Sequence, residues 1–360
     1  MLKIIPFIFA GFFLMGAMSS CKKDPVSSHC DTCKTDTTHH QCDTCNLNKD
    51  SLAHAFTWKE FSISGESNLV GVWVFGQNDI YIVGNALWHF DGTNFTNVPA
   101  IRNGSNTTLN GALSGFSIFA FDKIEFWMVS GSIAFHTSDG KYFDDIRPGN
   151  VNACWGSTPN DVFIIGNSGH IAHWDGTKFT DMPSGTTKDL SSVWGTSHND
   201  VWATGWNSSA GTTVLLHYDG LSWTEDQFST SGKINQYAIG SVWACDSAGV
   251  PTAVMAGTRV FHKTGSGPWR ADTSEVGNSL GSGNYIGISV TGGTSSDLFA
   301  VGGWGFASHW NGKTWKKYDT LFDINNADYG AQGISMNGNT ICIVGVKGGG
   351  SWVAIGTRKQ

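Results

Sequence analysis

Four cysteines near the amino end stand in a pattern that can do chemistry. Cys30, Cys33, Cys42 and Cys45 form a C-x2-C-x8-C-x2-C array inside the duplicated phrase "HCDTC" and "QCDTC", with His29, His39 and His40 beside them. Two such pairs can supply thiolates to a tetrahedral metal such as zinc, and the same sulfurs can instead close disulfides. The gap between the pairs is shorter than in common zinc ribbons and no apolar segment surrounds them. Disulfides are therefore the expectation in an oxidising compartment, with a metal at Cys30, Cys33, Cys42 and Cys45 as the second reading. No other cofactor is indicated. Cys154, Cys245 and Cys342 lie in apolar runs and read as buried fillers.

Histidine is the second chemically capable group. Six of the 12 histidines, His89, His136, His173, His217, His262 and His309, recur at one place in a repeated phrase: "HFDG", "HTSDG", "HWDG", "HYDG", "HKTG" and "HWNG". A catalytic side chain is needed once, so a residue present in nearly every copy is expected to be structural. The expected role is hydrogen bonding at the turn that follows, where Asp91, Asp139, Asp175 and Asp219 would accept from backbone N–H groups. The Asn-Asp turns at Asn78, Asn160 and Asn199 read the same way.

The elements that carry these residues follow from composition and repetition. With 46 Gly, 16 Trp, 22 Phe and only 14% charged residues, the chain favours many short strands over helices. A formal charge of -7 argues against nucleic acid as a partner, because such binding needs a cationic face. The clearest copies of the repeat are "LSSVWGTSHNDVWATGW" from Leu190 and "VNACWGSTPNDVFIIGN" from Val151. Each unit holds a strand, an Asp-containing turn, a second strand ending in Gly, a third ending in the His phrase, and a fourth opening on an aromatic. Those aromatics are Trp58, Phe95, Phe143, Phe179, Trp223, Trp269 and Trp315, spaced 36 to 48 residues apart. The last unit, from Ala331, stops before its fourth strand, and the missing piece, "FTWKEF" at Phe56–Phe61, stands at the other end. A linear array gains nothing from that offset, whereas a closed ring gains a sheet that zips the two ends together. The expected fold is all-β, a seven-bladed β-propeller over 54–360 whose N-terminal strand completes the last blade. Trp194, Trp202 and Trp223 should pack between blades.

The "VWG…NDVW…G…HWDG…W" pattern resembles the propeller repeats of secreted bacterial proteins, and "SDGKYF" at Ser138 loosely resembles the Asp-box turn of sialidase-type propellers. The "WD" of "HWDG" is similar to WD40 repeats, but the Gly-His pair that opens such units occurs only as Gly169-His170, in another place. Before the propeller, Lys3 and the apolar run Ile4–Met18 have the layout of a secretion signal, expected over 1–20. The following "GAMSSC" resembles a bacterial lipobox, although Met18 stands where Leu is usual, and implies lipidation of Cys21. Lys22 after that cysteine suggests the outer membrane, and "KKD" resembles the export signals of Bacteroidota surface lipoproteins. Residues 21–53, polar and without hydrophobic period, read as a flexible, Cys-rich tether. The expected location is the cell envelope, as an outer-membrane lipoprotein facing the periplasm or the surface and held to the membrane by its lipid.

Function should reside in what the repeats do not share. The variable connections begin at Pro99, Asn207, Asp226, Glu275 and Gly302 and are rich in Asn, Ser, Gly and aromatics. Trp206, Trp304, Phe306, Tyr237 and Tyr285 are the rings expected to meet a glycan or protein ligand there. A sialidase needs a three-arginine clamp, and the chain has only Arg102, Arg147, Arg259, Arg270 and Arg358. A glycosidase needs two carboxylates at a set separation, for which Glu275 and Asp226 are unremarkable candidates. No Gly-rich phosphate loop or Asp-x-Asp clamp supports a glycosyltransferase. The expectation is a non-catalytic binding module for glycan or protein, with a glycan-active enzyme on the same face as the alternative.

Overall fold

The two ends of the described chain lie side by side. The computed structural model describes residues 54–103, 107, 117–207, 211–232, 237–247, 249–273, 289–302, 306–318 and 329–359. Strand Phe56–Phe61 runs antiparallel to Gly350–Arg358, with Trp58 opposite Gly356 and Phe61 opposite Val353. It supplies the outer strand of the sheet that Tyr329–Asn337, Thr340–Lys347 and Gly350–Arg358 leave short. The signal and tether expected over 1–53 lie outside the described residues. Among those described, no helix is long and apolar enough to cross a membrane.

Seven sheets are present. Their first strands, termed a, touch one another in a closed cycle around an axis, with b, c and d following outward. Blades 1 to 7 are numbered in chain order as 71–97, 101–146, 153–181, 192–225, 241–271, 289–317 and 329–358 with 56–61. Of the aromatics expected to open a fourth strand, Phe95, Phe179, Trp223 and Trp315 do so, Trp269 stands just before its strand, and Phe143 and Trp58 lie second and third in theirs. Blade 2 departs from the repeat: Ile101–Arg102 adds a fifth strand, parallel to Tyr142–Ile146. Sequence also gave no sign of the short helix Gln227–Thr230, whose first turn is capped by the Asp226 carboxylate accepting from Phe228 N at 2.8 Å.

Strand composition follows from position. Asp161–Ile165 is buried along its whole length because blades cover it on both faces, so strict apolar-polar alternation is absent. Ring closure is also polar. On strand a, the Ser241 hydroxyl accepts from Val290 N of the next blade at 3.2 Å, and the Ser335 hydroxyl accepts from Val74 N at 3.0 Å. These bonds satisfy inner-strand amides that no sheet neighbour reaches.

The third-to-fourth strand turns hold the expected aspartates. Asp91, Asp139, Asp175 and Asp219 each accept from the backbone N–H groups two and three residues on, at 2.7–3.0 Å. The glycine of this turn is required: Gly176 has φ +93°, and a Cβ there would meet Asn160 of the neighbouring turn at 2.6 Å.

The repeat histidines bond elsewhere than expected. Five of the six donate not to the turn but across to the acid that opens or just precedes strand b: His89 to Asp79 at 2.8 Å, His136 to Glu125 at 2.6 Å, His173 to Asp161 at 2.6 Å, His217 to Asp200 at 2.8 Å and His309 to Asp297 at 2.7 Å. Spacing hid this pairing because the acid and the histidine meet only once strands b and c are side by side. The histidine ring packs on an aromatic of strand b; Trp202 and His217 stack with centroids 4.1 Å apart. This layer fills the wedge toward the next blade, where Phe163 meets Tyr218 and Trp223, and Trp202 meets Trp269. Cys154 and Cys342 are buried fillers, as expected; burial pushes the Cys154 thiol up to about 12.

The seam between blades 6 and 7 joins both chain ends. His309 is fully buried, its Nε2 on Asp297 and its Nδ1 2.8 Å from His54 Nδ1. Arg358 clamps both Asp297 oxygens at 2.6 Å. Burial, opposed by the Asp297 bond, holds the His309 pKa below its ordinary 6.5. The unfolded chain thus binds the proton more readily, so stability rises with pH through the window just below 6.5 and falls on acidification. The loss is expected to reach at most about 1.4 kcal/mol per pH unit. Urea unfolding at neutral and mildly acidic pH should show that slope, and His309→Gln should flatten it; an equal slope in the variant would assign the effect to other groups.

Candidate functional site

Two cavities stand out. One, of about 560 Å3, is axial and lined by the starts of strand a, including Ser192, Ser241, Ser289 and Gln332. Five blades place an aromatic at the same inner-strand position: Trp73, Phe119, Trp155, Trp194 and Trp243. Trp73 and Trp194 stack across the axis with centroids 6.2 Å apart, and the Trp194 indole N–H donates to Ala244 O. A bulge between Ala331 and Gly333 leaves Gln332 exposed at the cavity. Several of the hydroxyls here are committed to bonds between blades: those of Ser192 and Ser241 accept from Val242 N and Val290 N.

The other cavity, of about 790 Å3, lies between blades 5 and 6 and opens toward the a–b and c–d turns, with Val250, Ser296 and Gly312 at its border. Its cause is a break in the repeat. In blades 1, 2, 3, 4 and 6 the wedge facing the next blade holds a strand-b aromatic, a histidine and an acid. In blade 5, Val254 stands opposite His262, and Thr252 takes the place of the acid. The ring volume is gone and His262 is exposed. From blade 6, Trp310 and Trp315 face the space with centroids 5.6 Å apart; the Trp315 indole N–H donates to Asp272 at 2.7 Å. Val254, Val260 and Leu298 make an apolar bed, with Arg270 exposed at the rim. Apolar walls with a few convergent polar groups, at this volume, are the usual make-up of a ligand site.

Three of the rings chosen from sequence are described, on or beside different blades. Trp206 is the next-to-last residue of strand b of blade 4, half-buried and opposite Thr213. Tyr237 packs on Phe261 and under Arg259. Phe306 is 8% exposed in the core with Trp243 and Leu298, so packing rather than a ligand claims its ring. Trp304 and Tyr285 lie outside the described residues, as do Cys21, Cys30, Cys33, Cys42, Cys45 and Glu275. The residues sequence reading missed are Val254, Thr252, His262, Arg270, Asp272 and Trp310. Their signal in the sequence is the departure of "HKTGSGPW" from the His-aromatic-Asp-Gly phrase.

The arginines form no anion clamp among the described residues. Arg102 and Arg147 share Asp145, and Arg358 is held by Asp297. One further cluster could hold a metal: Asp161, His173 and His198, whose ligand atoms lie within 4.8 Å of one another.

No family model matches the chain, and no curated protein does. Solved structures do match. A structure described as YCF48 bound to D1 peptide superposes with a TM-score of 0.60 at 14% identity, covering 84% of this chain and 97% of that one. YCF48 from Cyanidioschyzon merolae gives 0.58 at 15% identity, with 84% and 98% covered. The WD40 β-propeller domain of Doa1 gives 0.57 at 12% identity, with 85% and 98% covered. The fold is thus a seven-bladed β-propeller like those of YCF48 and WD40 proteins.

Proposed function

We propose that this chain is a non-catalytic binding module of the cell envelope, held by a lipid on Cys21, that takes a peptide segment of a protein partner in the cleft between blades 5 and 6. The observation that carries this reading is the unfilled wedge: blades 5 and 7 both lack the aromatic-histidine-acid set, but blade 7 packs Cys342 and Ile355 against its neighbour, whereas blade 5 borders the larger cavity. Leaving apolar walls unfilled forfeits packing that other blades keep, and a ligand would restore it. A peptide is favoured by Arg270, Asp272 and His262 lining one edge, groups that can meet backbone and side-chain polar atoms. That the likeness includes a propeller described with a bound peptide supports the same class. A glycan is the second reading, favoured by the paired rings of Trp310 and Trp315.

The test restores the repeat. Val254→Phe with Thr252→Asp should refill the wedge and give His262 a partner, raising stability by about 0.5–2 kcal/mol and abolishing binding on peptide and glycan arrays. Trp310→Ala should weaken binding about tenfold or more by removing one wall. Undiminished binding by the refilled variant would send the ligand elsewhere, with Gln332 at the axial mouth the next place to probe.

A further inference from the structure

We propose that Asp161, His173 and His198 form a divalent transition-metal site, of the kind zinc occupies, that ties blade 3 to blade 4. The site is separate from the cleft and does not depend on it.

At two seams the acid of strand b receives a cation from the following blade. Asp79 of blade 1 pairs with Lys123 Nζ of blade 2 at 2.5 Å, and Asp297 of blade 6 pairs with Arg358 of blade 7 at 2.6 Å. Both seams thus put a cation from the next blade against a carboxylate already bonded to its own histidine. At Asp161 the next blade brings an imidazole instead. His198 Nδ1 lies 2.7 Å from Asp161 Oδ1, the oxygen that also meets His173 Nε2 at 2.6 Å. His198 stands two residues before Asp200, where blade 2 has Lys123 two before Glu125. It lies outside the repeat position of the other histidines, so ring closure does not account for it.

Two imidazoles converging on one carboxylate oxygen make a three-ligand N2O set suited to zinc, nickel or copper. The second oxygen of Asp161 is held by the Ser157 hydroxyl, which fixes the carboxylate plane as outer partners of metal ligands do. Binding needs each imidazole to present an unprotonated nitrogen to the ion and to carry its proton on the other ring nitrogen. His198 is 45% exposed on a turn and can withdraw the roughly half to one ångström that metal–ligand distances of about 2 Å require. A fourth position then faces water.

The test uses the full chain with its accessible thiols alkylated, so that the tether cysteines take no ion. Zinc titration by calorimetry should show one more ion bound per wild-type chain than per His198→Asn chain, with a wild-type Tm rise of about 2–4 °C that the variant lacks. Because His198 is half-exposed, the variant keeps the fold. His198→Lys, which copies the Lys123 arrangement, should match the zinc-loaded Tm without zinc and gain nothing from it. Equal zinc uptake by wild type and His198→Asn overturns the proposal, as does a zinc-dependent Tm rise that survives in His198→Lys.

Discussion

Asp297→Ala is expected to destabilise the propeller by about 2–4 kcal/mol. Its carboxylate receives both Arg358 contacts at 2.6 Å and the His309 Nε2 bond at 2.7 Å. Removing it leaves a guanidinium that is 17% exposed and an imidazole that is fully buried without their shared acceptor. A largely buried cation deprived of its carboxylate costs more than the pair contributed, so loss should exceed that of an exposed ion pair, about 0–1 kcal/mol. Arg358 sits on the last strand and His309 touches His54 at the first, so both chain ends lose their anchor to blade 6 together. Urea unfolding reads the effect, and the double variant Asp297→Ala with Arg358→Leu should recover part of it because the unpaired charge is gone. A single variant within about 0.5 kcal/mol of wild type, the usual range for a surface change, would show that the seam holds by apolar packing alone.

Phe56→Ala is expected to cost about 3–5 kcal/mol, the range for emptying a buried phenylalanine site. The ring is 8% exposed and packs edge-on against Phe299 at 5.2 Å and Tyr318 at 6.3 Å, with the Arg358 guanidinium 4.6 Å from its centroid. Deleting 56–61 should do more. It would strip the outer strand from Gly350–Arg358 and expose the row of backbone groups that now pair with Phe56–Phe61. Since each blade is stabilised through its neighbours, loss of the closing sheet should abolish the cooperative transition for the whole ring, not for one blade. Circular dichroism on heating would show this as a broad, low-temperature change. A sharp transition near the wild-type temperature would mean that blade 7 closes with three strands.

Much of this architecture was legible because it is local and repeated. The aromatic that opens strand d, the Asx turn at Asp175 and its Gly176 each depend on residues within a few positions of one another. The split seventh unit was legible too, since Phe56–Phe61 carries the same alternation as Trp315–Lys317 in blade 6. The candidate site was not. Trp206 and Phe306 were chosen as aromatics in variable connections, yet whether a ring is spent on packing depends on what the neighbouring blade presents. Phe306 is consumed by Trp243 and Leu298, while Trp310, inside a repeat phrase, borders open space because Val254 across the wedge is small.

By itself, the order of residues determined the number of blades, the closure of the ring by its first strand and the places of the turn aspartates, because backbone pairing and turn chemistry act over short spans and repeat. Only the tertiary structure decided that the histidines bond to strand-b acids, that His198 joins Asp161 from another blade, and that a cleft lies beside blade 5. Those outcomes depend on side-chain volume and charge meeting across blades, between residues that periodicity treats as equivalent and that packing does not.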